Sequence, residues 1–135
     1  MLKKICFKKI IWLLVCHLAL ASLALASPDV ELKVGAIYGL TGPLVSLSSQ
    51  YKNGALLAQE ALKQKGIAID ITFEDSQWQA KGAVTAYKKL RQAGDINIIH
   101  VLGSPMTLAL KPLTEADRVL LYSAAAHSEI LANSK

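Results

Sequence analysis

Beyond residue 26 the sequence has no cysteine. Cys6 and Cys16 both lie in the opening segment of this 135-residue chain. Once that segment is removed, a disulfide framework and a cysteine-based metal site are excluded. An exported chain without disulfides has to build a core adequate by itself. A basic surface is also missing. The formal charge is +5, but Lys3, Lys4, Lys8 and Lys9 fall in the first nine residues. Removing those four from the fifteen basic residues leaves eleven against ten acidic ones, close to neutrality. The basic character therefore belongs to the N-terminus and implies no nucleic-acid partner.

The motifs of several enzyme classes are absent as well. Gly35-x-x-x-Gly39-x-x-Gly42 is not the G-x-G-x-x-G of a dinucleotide site, and no G-x-x-x-x-G-K-[ST] occurs. Gly103-Ser104-Pro105 sits between an expected strand and helix, as a nucleophile elbow would. It lacks the second glycine, and Pro105 removes an N–H that an oxyanion hole would need. No nucleophile-base pair and no metal-ligand cluster stands out. The expectation is a non-enzymatic protein without metal or cofactor.

What is present begins with an export signal. Four lysines are followed by an apolar run from Ile10 to Leu25, interrupted by Cys16, His17 and Ser22. Ala24-Leu25-Ala26 is an A-x-A cleavage site before Ser27. Residues 1–26 therefore read as a signal peptide cleaved after Ala26. The run is slightly short for a membrane span and ends in small residues. Bulky Val15 argues against a lipid anchor at Cys16.

The remainder, 27–135, reads as one α/β unit. Leu32 to Pro43 organises it: an apolar run through Val34, Ala36, Ile37 and Tyr38 ends in the turn formers Gly39, Thr41, Gly42 and Pro43. The first strand is expected over Glu31 to Tyr38, with a helix to about Gln64 whose apolar face is Tyr51, Ala55, Ala58 and Leu62. A second strand over Ile67 to Phe73 alternates in polarity, as on a sheet edge. Ser76 and Gln79 fit a capping box, which starts a second helix there and carries it to about Ala93. A third strand covers Ile96 to Leu102. Ser104 is the expected N-cap, and Pro105 the first residue, of a third helix that carries Leu108, Leu110 and Leu113 and that Pro112 should kink or stop. A fourth strand covers Val119 to Ser123.

Short strands alternating with helices imply a doubly wound parallel sheet with helices on both faces. The loops holding Thr41-Gly42, Asp75-Ser76, Gly103-Ser104 and Ala125–His127 then share one edge, small, polar and rich in N–H donors. That edge suits a ligand carboxylate. His100, inside an apolar strand, reads as a packed, hydrogen-bonded histidine. Asp75 reads as charge near a helix start. Trp78 reads as a half-buried aromatic on the sheet edge, with ligand stacking as its other possible role.

LKVGAIYGLTGPL…YKNGALLAQEA, Glu74-Asp75, Gly103-Ser104…Leu108-Ala109…Pro112-Leu113 and Ser123-Ala124-Ala125-Ala126 occur in this order. Together they resemble type I periplasmic solute-binding proteins of the branched-chain amino acid and amide importers. The resemblance covers essentially all of the chain after the signal peptide. It implies a two-lobed binder, of which 27–135 would be an incomplete first lobe in a truncated or interrupted reading frame. It implies a periplasmic location, a small amino acid or amide as ligand, and an ABC permease of the inner membrane as partner. A ligand-sensing receptor domain on the same fold is the alternative. Ser104 matches the family serine that meets the ligand carboxylate, and Ala125 a backbone contact to the head group. His127 stands where amino-acid binders carry threonine, and Leu47 where some carry a cleft-lining tyrosine. With Thr41 of the first edge loop, these are the candidate ligand-binding residues.

Overall fold

The computed structural model describes residues 32–127 and 129; the signal-peptide segment lies outside them. Strands and helices alternate as β1 Leu32–Tyr38, α1 Val45–Lys63, β2 Ile69–Asp75, α2 Ala80–Ala93, β3 Ile98–Leu102, α3 Ser104–Ala116 and β4 Leu120–Ala124. The sheet order is β2-β1-β3-β4, with every pair parallel. β2 is thus an edge strand, in keeping with its alternating polarity. The expected doubly wound α/β architecture is what forms.

The sheet order fixes where the helices go. The step from β1 to β2 runs opposite to the steps from β2 to β3 and β3 to β4. Right-handed crossovers therefore place α1 on one face and α2 and α3 on the other. Strand residues alternate accordingly. Ile37, Ile99 and Val101 meet Ala83, Tyr87 and Leu90 of α2 and Met106 and Leu110 of α3 in the main core. Ala36, Tyr38 and Leu102 face the α1 side, where Tyr51 and Phe73 pack on them. Burying each large apolar side chain of the main core contributes about 1.5–3 kcal/mol. That face is the better sealed. α1 covers the β2–β1 half of the other, while on β4 Leu120 and Tyr122 stay 63% and 61% exposed.

Several element boundaries differ from expectation. β2 starts at Ile69, because Ile67 still donates its N–H to Leu62 O at 3.0 Å in the turn that closes α1. α2 starts at Ala80 and not at Ser76. The Ser76 N–H donates to Tyr38 O at 2.7 Å, which holds Ser76 beside the end of β1, and its Oγ accepts the Trp78 N–H inside the same loop. Gln79 then takes the cap position without a side-chain bond. β3 starts at Ile98 and β4 spans Leu120–Ala124, each displaced by one or two residues. α3 runs through Pro112 to Ala116 without stopping. Its core face is Met106, Thr107, Leu110 and Thr114, and Leu108 points outward at 42% exposure.

Candidate functional site

β1 and β3 are neighbours, yet the helices that follow them leave on opposite faces. The crevice outside their carboxyl ends is the switch point of the sheet, where open α/β folds bind ligands. The backbone here is unusual. Gly42, Gln77, Trp78, Gly103 and Ala125 all have positive φ, at 91°, 54°, 59°, 86° and 55°. Four loops reach this edge, and all four contain at least one such residue.

Asp75, the last residue of β2, ties two of these loops together. Its Oδ1 accepts the N–H groups of Leu40 at 2.8 Å, Thr41 at 3.3 Å and Gln77 at 2.7 Å. Its Oδ2 accepts the Thr41 hydroxyl at 2.6 Å. Partial burial alone would raise its pKa. The hydrogen bonds from the Thr41 hydroxyl and the three backbone N–H groups outweigh that and hold it below the usual carboxylate value. Asp75 is therefore a charged clasp between the β1–α1 and β2–α2 loops, and its acceptor sites are largely occupied. Thr41 sits on the rim of the edge with its hydroxyl proton committed.

Ser104 is the first residue of α3, and Gly103 rather than Ser104 holds the cap position. The Ser104 side chain makes no cap. Its Oγ instead accepts the N–H of His127 at 3.3 Å. The structure thus brings Ser104 and His127 together across 23 residues, beside the start of a helix whose N–H groups point outward. Ala125 lies two residues before His127, exposed. The floor behind Ser104 is fixed by Thr107, whose hydroxyl donates to Gly103 O at 2.8 Å and lies 2.5 Å from Ser123 Oγ.

Leu47, in the first turn of α1, lines an apolar cleft of about 670 Å³ between α1 and the sheet, with Tyr51, Leu62, His100 and Tyr122 among its walls. Its lining has no charged side chain to orient a small ligand. It is the gap left where α1 covers one half of its face. His100 is packed there as expected from its strand. Its Nδ1 lies 2.6 Å from the Tyr38 hydroxyl, and burial lowers its pKa. Its Nε2 is buried without a partner among the described residues.

The residues that sequence reasoning missed are glycines. A Cβ at Gly82 would stand 2.1 Å from Ser76 O, so only glycine lets the β2–α2 loop lie on the first turn of α2. The signal was a glycine inside a helical pattern, which usually has a packing reason. Among the described residues no cluster of three or more His, Cys, Asp or Glu could hold a metal ion, and no helix is long and apolar enough to cross a membrane.

The family profile described as periplasmic binding protein matches residues 31–134. The chain belongs to the periplasmic binding protein family. Its fold corresponds to the N-terminal part of the type I members in the branched-chain amino acid transporter group. Among solved structures it is similar to a fatty acid ABC transporter substrate-binding protein from Thermomonospora curvata, at 27% identity and a TM-score of 0.65, over 73% of this chain and 26% of that one. It is also similar to the branched-chain amino acid transporter substrate-binding protein LivJ from Streptococcus pneumoniae, solved with isoleucine, at 18% identity and a TM-score of 0.68, over 76% of this chain and 31% of that one. A third is an ABC transporter solute-binding protein from Rhodopseudomonas palustris, solved with 3,4-dihydroxybenzoic acid, at 24% identity and a TM-score of 0.65, over 75% and 29%. The chain thus spans about a quarter to a third of these relatives. Among curated proteins no sequence matches it.

Proposed function

We propose that this periplasmic binding protein chain supplies the first ligand-binding lobe of an extracytoplasmic solute receptor that serves an ABC importer. The receptor captures a small carboxylate-bearing solute, an amino acid or a related acid or amide, and presents it to a permease in the inner membrane. It performs no chemistry on the solute. Residues 1–26 direct export and are cleaved after Ala26. A second lobe closes over the edge and supplies the remaining contacts.

The observation that carries this reading is the meeting of Ser104 and His127 outside the carboxyl ends of β3 and β4, beside the switch point. Ser104 Oγ lies at the positive end of α3 and is held by the His127 N–H. A carboxylate placed there would accept from the Ser104 hydroxyl and from free N–H groups of the first turn. Ala125 would offer backbone groups to the rest of the ligand, and Thr41 would border it. Fatty acid, isoleucine and 3,4-dihydroxybenzoic acid, named for the three relatives above, share a carboxyl group and little else. Their common feature supports a carboxylate as the anchored part.

The test is calorimetric titration of the chain with a panel of amino acids, amides and simple carboxylic acids. At least one carboxylate should bind saturably, and Ser104→Ala should weaken it about tenfold, the loss of one hydrogen bond to a charged group. Binding that survives Ser104→Ala unchanged would remove the edge as the site. Mass spectrometry of the exported chain should show Ser27 as its first residue.

A further inference from the structure

Trp78 occupies the switch point itself. Its indole fills the space between the carboxyl ends of β1 and β3. A Cβ at Gly39 would stand 2.9 Å from its Cε3; a Cβ at Gly103 would stand 2.6 Å from Met106 Cε and 3.2 Å from the ring's Cζ2. Each strand that flanks the crevice is followed by a glycine close to the ring. The backbone that delivers it has two successive non-glycine residues in the left-handed region, Gln77 at φ 54° and Trp78 at φ 59°. Such conformations are uncommon and collect at ligand sites. The ring packs on both hydrophobic clusters, one on each face of the sheet, yet remains only half-buried. Its Nε1–H meets no acceptor among the described residues and is not among the buried unpartnered atoms.

Packing alone accounts poorly for this. A smaller apolar residue would seal the two clusters as well. A ring left half exposed at the switch point offers a face on which a planar ligand can stack. On this lobe Asp75 already accepts four hydrogen bonds from Leu40, Thr41 and Gln77. An acid without an ammonium needs no further anion here, whereas the ammonium of an amino acid would take its partner from the second lobe.

We propose that Trp78 is the specificity-determining wall of the edge site, and that the preferred solute is a small carboxylic acid carrying a planar, aromatic group. The plane of the ligand stacks on the exposed part of the indole while its carboxylate points to Ser104. This rests on the edge being the ligand site, as proposed above.

The experiment uses the full chain carrying Trp12→Phe, which leaves Trp78 as its single tryptophan. Benzoate and cyclohexanecarboxylate serve as probes, having the same charge and nearly the same size but differing in planarity. Benzoate should shift or quench Trp78 emission saturably and bind about five- to tenfold more tightly than the saturated acid, the worth of one aromatic pair. Trp78→Leu should abolish the preference, and Trp78→Phe should keep most of it. Should Trp78→Leu not fold, the preference and the emission change in the Trp12→Phe chain decide alone. Equal binding of the two acids, or binding without any change in emission, would overturn the role of Trp78 and leave the edge site standing. No binding of benzoate, cyclohexanecarboxylate or leucine at millimolar concentration would overturn both.

Discussion

The Thr41 hydroxyl donates to Asp75 Oδ2 across 2.6 Å, joining residues 34 positions apart at the ends of β1 and β2. The same carboxylate holds three backbone N–H groups. Because its folded pKa is depressed, this contribution is present above the unfolded value near pH ~3.9 and is lost as pH falls through the folded one. Asp75→Ala removes every acceptor and should cost about 2 kcal/mol in urea denaturation. Asp75→Asn keeps one oxygen and should cost about 1 kcal/mol or less. Amide exchange at Leu40, Thr41 and Gln77 should accelerate in both. Unchanged exchange there would mean that the loops are held by something else.

His100 gives a pH dependence of its own. Burial lowers its pKa, and the side chains that face it, Tyr38 and Tyr122, are uncharged near neutrality. Burial first, and then Tyr122 and Tyr51, push the Tyr38 hydroxyl up to about 12. Between the folded and unfolded His100 values the unfolded chain binds more protons. Stability is therefore full above pH ~6.5 and declines as pH falls below it. Thermal melts from pH ~7.5 to ~5.5 should show a falling Tm, and His100→Gln should flatten that slope. A slope that His100→Gln leaves intact would assign it to another group.

Much of the fold was legible because its signals are local. The run from Val34 to Tyr38 that ends in Gly39-Leu40-Thr41-Gly42 marks a strand and its loop by composition alone, and the alternation of Ile69, Ile71 and Phe73 marks an edge strand. Where the reading slipped, a distant partner decided. Ser76 and Gln79 have the pattern of a capping box, but the Ser76 N–H is taken by Tyr38 O, 38 residues earlier. Ser104 has the composition of an N-cap, yet Gly103 turns the chain at φ 86° and frees the serine for His127. Leu47 shares a cleft with His100 and Tyr122, a grouping set by the phase of α1 against β3 and β4 that no local pattern carries. Trp78 was legible as a half-buried aromatic on the sheet edge, and it lies there; its packing beside Gly39 and Gly103 joins three loops, so those partners were not.

The β4 edge should make the chain self-associate. Leu120 and Tyr122 are more than half exposed on a strand that has no outer neighbour among the described residues. An apolar, unpaired edge is a template for pairing. Sedimentation velocity should show a weight-average mass that rises with concentration. Leu120→Lys should suppress the rise while changing stability by about 0.5 kcal/mol or less, as at other exposed positions. A concentration-independent mass for the unmodified chain would show that this edge is already protected.

Two helical glycines should respond to alanine with opposite signs. Gly54 lies within α1, and a Cβ added there meets nothing within 4 Å. Glycine inside a helix is about 1 kcal/mol less favourable than alanine, so Gly54→Ala should stabilise the chain by up to that amount. Gly82 lies in the first turn of α2, where a Cβ would stand 2.1 Å from Ser76 O. The obstacle is backbone in the loop that carries Gln77 and Trp78, so it cannot swing aside as a side chain would. Gly82→Ala should cost about 2–3 kcal/mol, toward the upper range of overpacking. It should also perturb the emission of Trp78 in the chain carrying Trp12→Phe. Equal effects of the two substitutions in parallel denaturation curves would mean that the β2–α2 loop does not rest on α2, and the strained placement of Trp78 would lose its support.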